Sequence, residues 1–286
     1  MAKHKVGFIG VGDMGKPMAR GLIEKGIDTI VYDIRKEPLK ELETLGAKVA
    51  GSAKEIGSLC DIMITMVVDI AQIEAVFLGS DGALTSAKEG AIIVVMSTVD
   101  PFFCKKLAQK AAEKRVGFLD APVSGGQKGA EAHSLSIMVG GEKHLFDECK
   151  SIFEAMGKNI FYVGEVGTGQ AIKIANNSIV HAFLIGTAGG IALAAAAGVK
   201  VERFLEIIQT TTARNWVAQN WEYWSKKGKP EGKASLYITW KDIMHARDLA
   251  KAYGLSLPSV EAAAKLDLAK LIEYADQLQP KTFNAK

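Results

Sequence analysis

A glycine-rich turn between two short apolar runs constrains the fold of this chain more than any other feature. The first run, Lys5–Ile9, predicts a strand, and a helical pattern follows the turn as far as Gly26. The second run, Thr29–Tyr32, predicts another strand and ends on Asp33. The turn itself consists of Gly10, Val11, Gly12, Asp13, Met14 and Gly15. Strand, GxGxxG turn, helix, strand and acidic residue form, in this order, the fingerprint of dinucleotide binding.

Each element of this fingerprint has a physical task. Gly10 allows the tight turn, Gly12 lets the backbone approach a pyrophosphate, and Gly15 lets the helix close on the strand. The helix N-terminus presents unpaired N–H groups and a partial positive charge to the phosphates. Asp33 is placed to accept hydrogen bonds from the adenine ribose hydroxyls. A plain glycine turn is the alternative, and the flanking strands and the acid argue against it.

The acid at position 33 also predicts the type of dinucleotide. A carboxylate there repels the 2′-phosphate of NADP, so NAD is the favoured cofactor. Arg35 and Lys36 follow closely, and their positive charges weaken this preference without reversing it.

Strands and helices continue to alternate after this unit. Further strands are predicted near 62–67, 91–96, 118–121, 135–139 and 159–163, which gives a sheet of roughly eight strands. Ser52 and Glu55 form a capping box, and Asp100 with Pro101 predicts the start of a helix. The strand over 91–96 delivers Ser97 and Thr98 to its carboxyl end, where open α/β sheets bind their ligands.

A second glycine-rich segment, DAPVSGG, lies between two of these strands. Its residues Ser124, Gly125 and Gly126 offer successive backbone N–H groups with little side-chain obstruction. Such a group of N–H donors suits a small anion, for example a carboxylate. A simple turn is an equal alternative when this segment is considered by itself.

The stretch Gly164–Gly198 predicts one long helix whose first half is polar and whose second half is apolar. Its polar start places Lys173 and Asn177 four residues apart, on one helical face. Its second half, Ile179–Gly198, has no formally charged residue and is about as long as a membrane span. The run is rich in Ala and Gly and contains His181, so we expect a helix buried on nearly all sides in a protein without a membrane segment.

Beyond Gly198 the patterns are helical. Helices are expected over Val201–Thr210, in the Trp-rich segment Trp216–Trp224, over Tyr237–Ala252, and in one last helix from Ser259 to Leu271; KKGKPEGK at 226–233 is typical of a solvated loop. The sequence therefore predicts an α/β Rossmann-type domain over 1–163. A long interdomain helix would follow over 164–198, and an all-α C-terminal domain over 199–286.

Composition excludes several classes of protein. The net charge of +3 is too small to indicate a nucleic-acid partner. Cys60, Cys104 and Cys149 have neither the spacing of a metal site nor that of a disulfide framework, which favours a reducing compartment. A strand begins almost at the N-terminus and leaves no room for a signal peptide. We therefore expect a cytoplasmic protein.

Four separated motifs resemble the β-hydroxyacid dehydrogenase family, which includes 3-hydroxyisobutyrate dehydrogenases and tartronate semialdehyde reductases. They are GFIGVGDMGKPMA at 7–19, DAPVSGG at 120–126, GTGQAIKIANN at 167–177 and WKDIMHA at 240–246. The resemblance covers nearly the whole chain and implies a homodimer or a homotetramer.

The resemblance also implies roles for individual residues. The lysine matching Lys173 is the catalytic acid/base in this family, and the asparagine matching Asn177 binds substrate. The residues matching Ser124, Gly125 and Gly126 hold the substrate carboxylate. The residue matching Lys241 lies beside the nicotinamide and the substrate. The residue matching Thr98 lies near the nicotinamide, and those matching Met66 and Val67 belong to the loop that covers the cofactor.

These residue types suit the oxidation of an alcohol to a semialdehyde and its reversal. A proton must leave or reach the reacting oxygen while a hydride moves, and a lysine does this best when burial brings its pKa near working pH. No metal is needed for this reaction. The segments GKASLYITW before Lys241 and Arg214–Trp216 depart from the family pattern, so the identity of the hydroxyacid is left open.

Rival functions are distinguished by single residues. 6-Phosphogluconate dehydrogenases have histidine where this chain has Asn176, and imine reductases usually replace the lysine at Lys173. A non-catalytic dinucleotide-binding module is the alternative from another class, and an NADP-dependent semialdehyde reductase is the alternative within the family. His133 stands where the family usually has glycine; it either lines the substrate pocket or lies in a solvated loop. The aromatic residues Trp216, Trp221, Tyr223 and Trp224 either pack the helical domain or a subunit interface, or line the active-site cleft.

Overall fold

The computed structural model describes residues 4–227 and 233–277. The chain divides into two compact units, one ending at Lys173 and the other beginning at Ile174. The centre of the predicted KKGKPEGK loop, residues 228–232, lies outside the described residues.

Within the described part of the first unit, nine strands form one sheet. Their order is β3-β2-β1-β4-β5-β6-β8-β7, with β9 paired to β8. The first six strands are parallel, and β8 runs antiparallel to β6 and β7. The strands are β1 (Val6–Ile9), β2 (Thr29–Tyr32), β3 (Lys48–Val49), β4 (Ile62–Thr65), β5 (Ile92–Val95), β6 (Gly117–Asp120), β7 (Val123–Ser124), β8 (Leu135–Gly141) and β9 (Gly157–Gly164).

Helices cover both faces of this sheet, because successive side chains of a buried strand point to opposite faces and both sets are apolar. In β4, Ile62 and Ile64 belong to one hydrophobic core and Met63 to the other. The helices are α1 (Gly15–Glu24), α2 (Glu37–Thr44), α3 (Ala53–Leu59), α4 (Ile70–Leu78), α5 (Pro101–Ala112), α6 (Gly126–Glu131) and α7 (Lys143–Glu154), with a 3₁₀ turn at Ala83–Thr85. The predicted Rossmann-type α/β architecture is confirmed.

Side-chain caps start two helices as the sequence predicts. The Glu55 N–H donates to Ser52 Oγ (3.1 Å) at the start of α3, and the Glu55 carboxylate accepts from the N–H of Gly51 (2.7 Å). The Phe102 N–H donates to Asp100 Oδ1 (3.1 Å) at the start of α5, where Pro101 is the first residue. These caps satisfy N–H groups that have no partner inside the helix.

The long helix α8 spans Thr168–Ala196 and belongs partly to each unit. The prediction that its apolar half is buried on nearly all sides is wrong, since only about a third of its most apolar window is buried. Ile179, Phe183 and Leu193 are 55%, 41% and 75% exposed. The described residues supply packing partners for one face of the helix only. By length and composition alone, α8 is the one helix among the described residues that could cross a membrane.

The second unit is helical in its described residues. Its core joins Leu184, Ala188 and Ile191 of α8 to apolar residues of the later helices. Trp221 and Trp224 are buried in this core, so packing explains these two aromatic residues. The helices are α9 (Val201–Ile208), α10 (Trp216–Gln219), α11 (Trp221–Lys227), α12 (Lys233–Ala252), α13 (Pro258–Lys265) and α14 (Leu268–Gln277).

The predicted single helix from Ser259 to Leu271 is wrong. Leu266 has an extended backbone (φ −84°, ψ 139°) and ends α13. The Asp267 carboxylate accepts a hydrogen bond from the Lys270 N–H (3.1 Å) and caps α14. An aspartate competes for backbone N–H groups and therefore favours a new helix start over a helix interior.

All three cysteines are free and buried. Burial raises the pKa of the Cys60 and Cys149 thiols to about 12. Burial also raises the pKa of the Cys104 thiol well above its ordinary value.

Candidate active site

The glycine turn after β1 packs as its sequence predicts. Gly10 has φ +88°, and a Cβ there would lie 2.6 Å from the Met66 carbonyl oxygen. A Cβ on Gly15 would lie 1.9 Å from the Gly10 carbonyl oxygen, so only glycine lets α1 begin this close to the turn. Gly12 differs, because a Cβ there would meet only the flexible Arg35 guanidinium, at 3.3 Å. The backbone at Gly12 is therefore open to a ligand.

A groove of about 590 Å³ opens beside this turn. The first turn of α1 has no side-chain cap. Because the Lys16 N–H donates to the Gly12 carbonyl oxygen (2.9 Å) and Pro17 has no N–H, an anion would meet the backbone N–H groups of the turn just before them. The groove and the uncapped helix start fit the pyrophosphate of a dinucleotide. The lining residues are Val11, Gly12, Asp13, Lys16, Pro17, Arg20, Arg35, Glu37, Pro38, Glu41, Gln127 and Glu131.

Asp33 follows β2 and faces the same turn. Its Oδ2 accepts the Val11 N–H (2.9 Å), and its Oδ1 accepts the Arg35 N–H (2.9 Å). The Arg35 Nε also lies 3.3 Å from Oδ1. The carboxylate is only 7% exposed, whereas the Arg35 side chain is 57% exposed. Asp33 thus orients Arg35 at the groove in addition to offering an acceptor for ribose hydroxyls.

The loops after β4 and β5 lie at the same carboxyl edge of the sheet as the glycine turn, because β1, β4 and β5 are parallel neighbours. Met66 and Val67 leave β4 half-buried, and Thr98 follows β5 half-buried. Ser97 Oγ donates to the Val67 carbonyl oxygen (2.8 Å) and accepts the Val67 N–H (3.0 Å). This double hydrogen bond joins the two loops next to the point between β1 and β4 where the strand order reverses, which is the usual ligand site of such sheets.

The Ser-Gly-Gly segment links β7 to α6. Ser124 ends β7, and Gly126 begins α6. Gly125 and Gly126 have φ of +134° and +62°, values that L-residues with side chains rarely adopt. A Cβ at Gly126 would meet nothing within 4 Å, so space is open beside this backbone. The predicted anion-binding turn requires an open backbone of this kind.

Lys173 and Asn177 lie on consecutive turns of α8. Lys173 is half-buried and is the last residue of the first unit, and Asn177 is buried in the second unit.

Asp242, which the sequence did not single out, contacts two of the predicted site residues. Its Oδ2 accepts from Asn177 Nδ2 (2.7 Å), and its Oδ1 pairs with Lys241 Nζ (2.8 Å). Asn176 Nδ2 donates to Asn177 Oδ1 (3.2 Å), so both ends of the Asn177 amide are held. All three members of the Asn177–Asp242–Lys241 group are buried. The only signal in the sequence was the position of Asp242 directly after Lys241.

His133 lies in the turn after α6 and is half-buried, so it is not in a fully solvated loop. Its φ of +48° explains why glycine is common at this position, since that backbone conformation favours glycine. The half-buried ring packs against α1, where a Cβ on Gly21 would lie 3.2 Å from it, and its Nδ1 is 3.6 Å from a Glu24 carboxylate oxygen. His133 thus joins the turn after α6 to α1. His181 is buried as predicted.

Two family profiles together span nearly the whole chain. The profile described as the NAD binding domain of 6-phosphogluconate dehydrogenase matches residues 5–164. The profile described as the NAD-binding domain of NADP-dependent 3-hydroxyisobutyrate dehydrogenase matches residues 167–277.

Individual relatives agree with these profiles. The 2-(hydroxymethyl)glutarate dehydrogenase of Eubacterium barkeri is 34% identical over 92% of this chain and 87% of its own length. The NAD-dependent L-serine dehydrogenase of Pseudomonas aeruginosa is 33% identical over 92% of this chain and 90% of its own length. The crystal structure of a 3-hydroxyisobutyrate dehydrogenase from Salmonella typhimurium has a TM-score of 0.82 and 25% identity, over 94% of this chain and 99% of that one.

Proposed function

This chain belongs to the β-hydroxyacid dehydrogenase family, and we propose that it interconverts a small β-hydroxyacid and its semialdehyde by hydride transfer to or from NAD. The observation that carries the proposal is the open glycine turn and groove in a chain that also has a half-buried lysine at the start of α8. The first feature suits a dinucleotide, and the second suits proton transfer.

The names of the relatives indicate the class of substrate. 2-(Hydroxymethyl)glutarate, L-serine and 3-hydroxyisobutyrate all carry a primary alcohol on the carbon β to a carboxylate, and they differ at the α carbon. We propose the same common core for the substrate of this chain. The α substituent is left to experiment, because the segments before Lys241 and at 214–216 depart from the family pattern.

Bound NAD supplies the hydride acceptor of the oxidation. In the proposed mechanism, the neutral amine of Lys173 accepts the hydroxyl proton as the carbonyl forms, and in reduction the ammonium returns it. Asn177 donates an amide hydrogen to the reacting oxygen, and the Asp242 carboxylate keeps that amide and Lys241 in place. The N–H groups of Ser124, Gly125 and Gly126 hold the substrate carboxylate.

The choice of NAD over NADP depends on the charges of the groove. Its lining contains three cationic side chains and four carboxylates. The cations are already paired: Lys16 with Glu41 (2.6 Å), Arg20 with Glu24 (3.4 Å) and Arg35 with Asp33 (3.3 Å). An additional phosphate would enter a region with no surplus of positive charge, so we propose NAD. The relatives' descriptions include both cofactors.

We also propose a homo-oligomer, a dimer or a tetramer, whose interface includes the exposed face of α8. Ile179, Phe183, Gly186 and Leu193 recur at spacings of three to seven residues on that face, and residues 174–198 carry no formal charge. A Cβ on Gly186 or Gly189 would meet nothing within 4 Å, which leaves room for the close approach of another helix. A second copy of this chain is the proposed partner, without membrane or nucleic acid. The three free cysteines support a cytoplasmic location.

Replacement of Lys173 tests the mechanism. Lys173→Ala should lower kcat for semialdehyde reduction by about 10²- to 10⁴-fold, the usual contribution of a general acid or base, and leave the Kd for NADH nearly unchanged. Lys106→Ala, at an exposed position of α5, is the matched control and should behave as wild type. Near-normal turnover in Lys173→Ala would refute the assigned role.

A substrate panel tests the reaction itself. It should contain 3-hydroxyisobutyrate, glycerate, 3-hydroxypropionate, 4-hydroxybutyrate and serine, each with NAD and with NADP. We expect NAD reduction with at least one acid whose hydroxyl is on the β carbon. Tight NADH binding without turnover of any member would favour the non-catalytic module instead.

A further inference from the structure

Asp120 is a fully buried carboxylate at the carboxyl end of β6, and it holds the start of α8. Its Oδ1 accepts the Gly167 N–H (2.6 Å), and its Oδ2 accepts the Gln170 N–H (2.8 Å). Two glycines make room for it, because a Cβ on Gly140 would lie 2.7 Å from Oδ1 and one on Gly169 would lie 2.8 Å from Oδ2. Burial raises the pKa of the Asp120 carboxyl, and the backbone N–H groups around it act in the opposite direction. The partial positive charge at the N-terminus of α8 offsets part of the cost of burying this carboxylate.

The side chain of Gln170 joins the same helical turn to the loop after β5. This fully buried amide accepts the Val99 N–H at Oε1 (3.0 Å) and donates from Nε2 to the Ser97 carbonyl oxygen (2.8 Å). The two bonds flank Thr98, the residue proposed to lie near the nicotinamide. Ser97 in turn is bound to Val67, so the network extends to the loop after β4.

Lys173 follows Gln170 by three residues, which is about 4.5 Å along the axis of a helix. The path of its backbone is therefore determined by the turn that Asp120 and Gln170 hold. Free helix ends fray, whereas a buried and satisfied polar network gives a segment one arrangement. A displacement of about 1 Å at a reacting group can cost about a hundredfold in rate.

We propose that Asp120 and Gln170 are positioning residues for the acid/base lysine, because they fix the first turn of α8 against the loops after β4 and β5. The inference rests on the proposed function, since the placement of Lys173 matters for turnover only if Lys173 transfers the proton. Asp120 anchors the backbone of the turn, and Gln170 sets its distance from Thr98.

The test compares Gln170→Met with Thr29→Val. Gln170→Met keeps the approximate length of the side chain and removes both hydrogen bonds. Thr29 is the matched control, because it is also buried and its Oγ1 bonds to the Ile27 carbonyl oxygen (2.9 Å) at the amino end of β2, the opposite edge of the sheet. Gln170→Met should lower kcat at least about tenfold, while the Kd for NADH changes less than about threefold and Tm falls about as far as in Thr29→Val.

A double variant separates positioning from general destabilisation. In a Lys173→Ala background, single-turnover rates should change less than about twofold on adding Gln170→Met, because residues that act as one unit are not additive. An equal fold-loss in both backgrounds would show that Gln170 merely supports the fold, and would overturn the proposal. A kcat for Gln170→Met equal to that of Thr29→Val would overturn it as well.

Hydrogen exchange supplies a readout that does not depend on turnover. Amides of residues 168–175 should exchange faster in Gln170→Met than in wild type or in Thr29→Val, and unchanged protection would contradict the inference. Asp120→Asn should show the same pattern, since an asparagine oxygen can accept only one of the two N–H groups in the same geometry. If Asp120→Asn does not fold, Gln170→Met still decides.

The results also distinguish failure of this inference from failure of the proposed function. Near-normal turnover in Lys173→Ala, or no turnover by the wild type, would reject the function. The positioning role alone would be rejected if the wild type is active, Lys173→Ala is inactive, and Gln170→Met has the same kcat as Thr29→Val.

Discussion

Asp33 and Arg35 are two neighbouring charges with opposite effects on a cofactor phosphate. In the proposed cofactor site Asp33 would repel a 2′-phosphate and Arg35 would attract one, and the structure joins them through Arg35 Nε at 3.3 Å from Asp33 Oδ1. The pairing withdraws much of the arginine's attraction as long as Asp33 is charged. Asp33 would therefore act on a 2′-phosphate in two ways. Its own negative charge would repel the phosphate, and its pairing with Arg35 would neutralise part of the positive charge that attracts it.

Asp33→Asn should reduce the preference for NAD. The variant keeps the shape of the side chain, removes the repulsion and frees the Arg35 guanidinium, so the ratio of kcat/KM for NAD to that for NADP should fall about tenfold or more, about 1.4 kcal/mol. Steady-state kinetics with both cofactors measure this ratio. Adding Arg35→Ala to the variant should weaken NADP again. A wild-type enzyme that already prefers NADP would show that this account of Asp33 is mistaken.

Among single residues, the sequence predicted those that belong to contiguous motifs. It missed their hydrogen-bond partners from distant parts of the chain. Lys173 and Asn177 stand in one segment, so their shared helix could be inferred from spacing. Asp242 contacts Asn177 across 65 positions, and Asp120 contacts Gly167 across 47. A single sequence has no local pattern that reports such pairs, because the chain must fold before they meet.

At the scale of an element, the glycine turn meets two requirements, close packing of α1 and open access for a ligand. Gly15 is required by packing, since its Cα faces the Gly10 carbonyl oxygen, whereas Gly12 faces the open groove. The motif therefore consists of one glycine for the fold and one for the ligand, with Gly10 supplying the positive φ of the turn.

Alanine at these two glycines should separate folding from binding. Gly15→Ala forces a Cβ against backbone and should destabilise the protein by about 1–3 kcal/mol, seen as a lower Tm. Gly12→Ala should leave Tm nearly unchanged and raise the Kd for NADH at least about tenfold, because the methyl group occupies the approach of the pyrophosphate. Thermal melts and fluorescence titration measure the two effects. A Gly12→Ala variant that binds NADH like wild type would contradict the proposed groove.

The sequence predicted those strands and helix starts that depend on residues adjacent in the chain. Buried parallel strands are short apolar runs, and the caps at Ser52 and Asp100 are local signals, so both were found. The two-residue strands β3 and β7 were missed because pairing with a neighbour defines them. The break at Leu266 was missed because Asp267 interrupts an otherwise helical pattern without a glycine or proline.

At the scale of the whole molecule, the exposed apolar face of α8 needs a partner that covers it. The sequence predicted correctly that a long apolar helix follows the α/β domain, but it could not say which face the chain itself covers. An exposed, uncharged helical face of this length is unfavourable in water, since apolar surface gains stability when it is buried. The second copy of the chain that we propose as partner would bury this face.

Phe183→Glu should therefore reduce the size of the assembly. Phe183 is 41% exposed in the single chain, so a glutamate there costs a monomer little but places a charge in the proposed interface. Leu45→Glu is the matched control, at 43% exposure in the α/β unit. Light scattering coupled to size exclusion should give a dimer or a tetramer for wild type and Leu45→Glu, and smaller species for Phe183→Glu. A monomeric wild type, or wild type that sediments with phospholipid vesicles, would reject the proposal.

The buried cysteines determine how this protein responds to oxidants. At pH 8, a thiol whose pKa is about 12, as for Cys60 and Cys149, is ionised in about one molecule in ten thousand. Peroxide and alkylating reagents attack the thiolate of a cysteine, so the folded chain offers them almost no cysteine thiolate. The dehydrogenase should thus retain its activity through oxidative episodes that inactivate enzymes with exposed thiols, and its labelling by iodoacetamide should report unfolding.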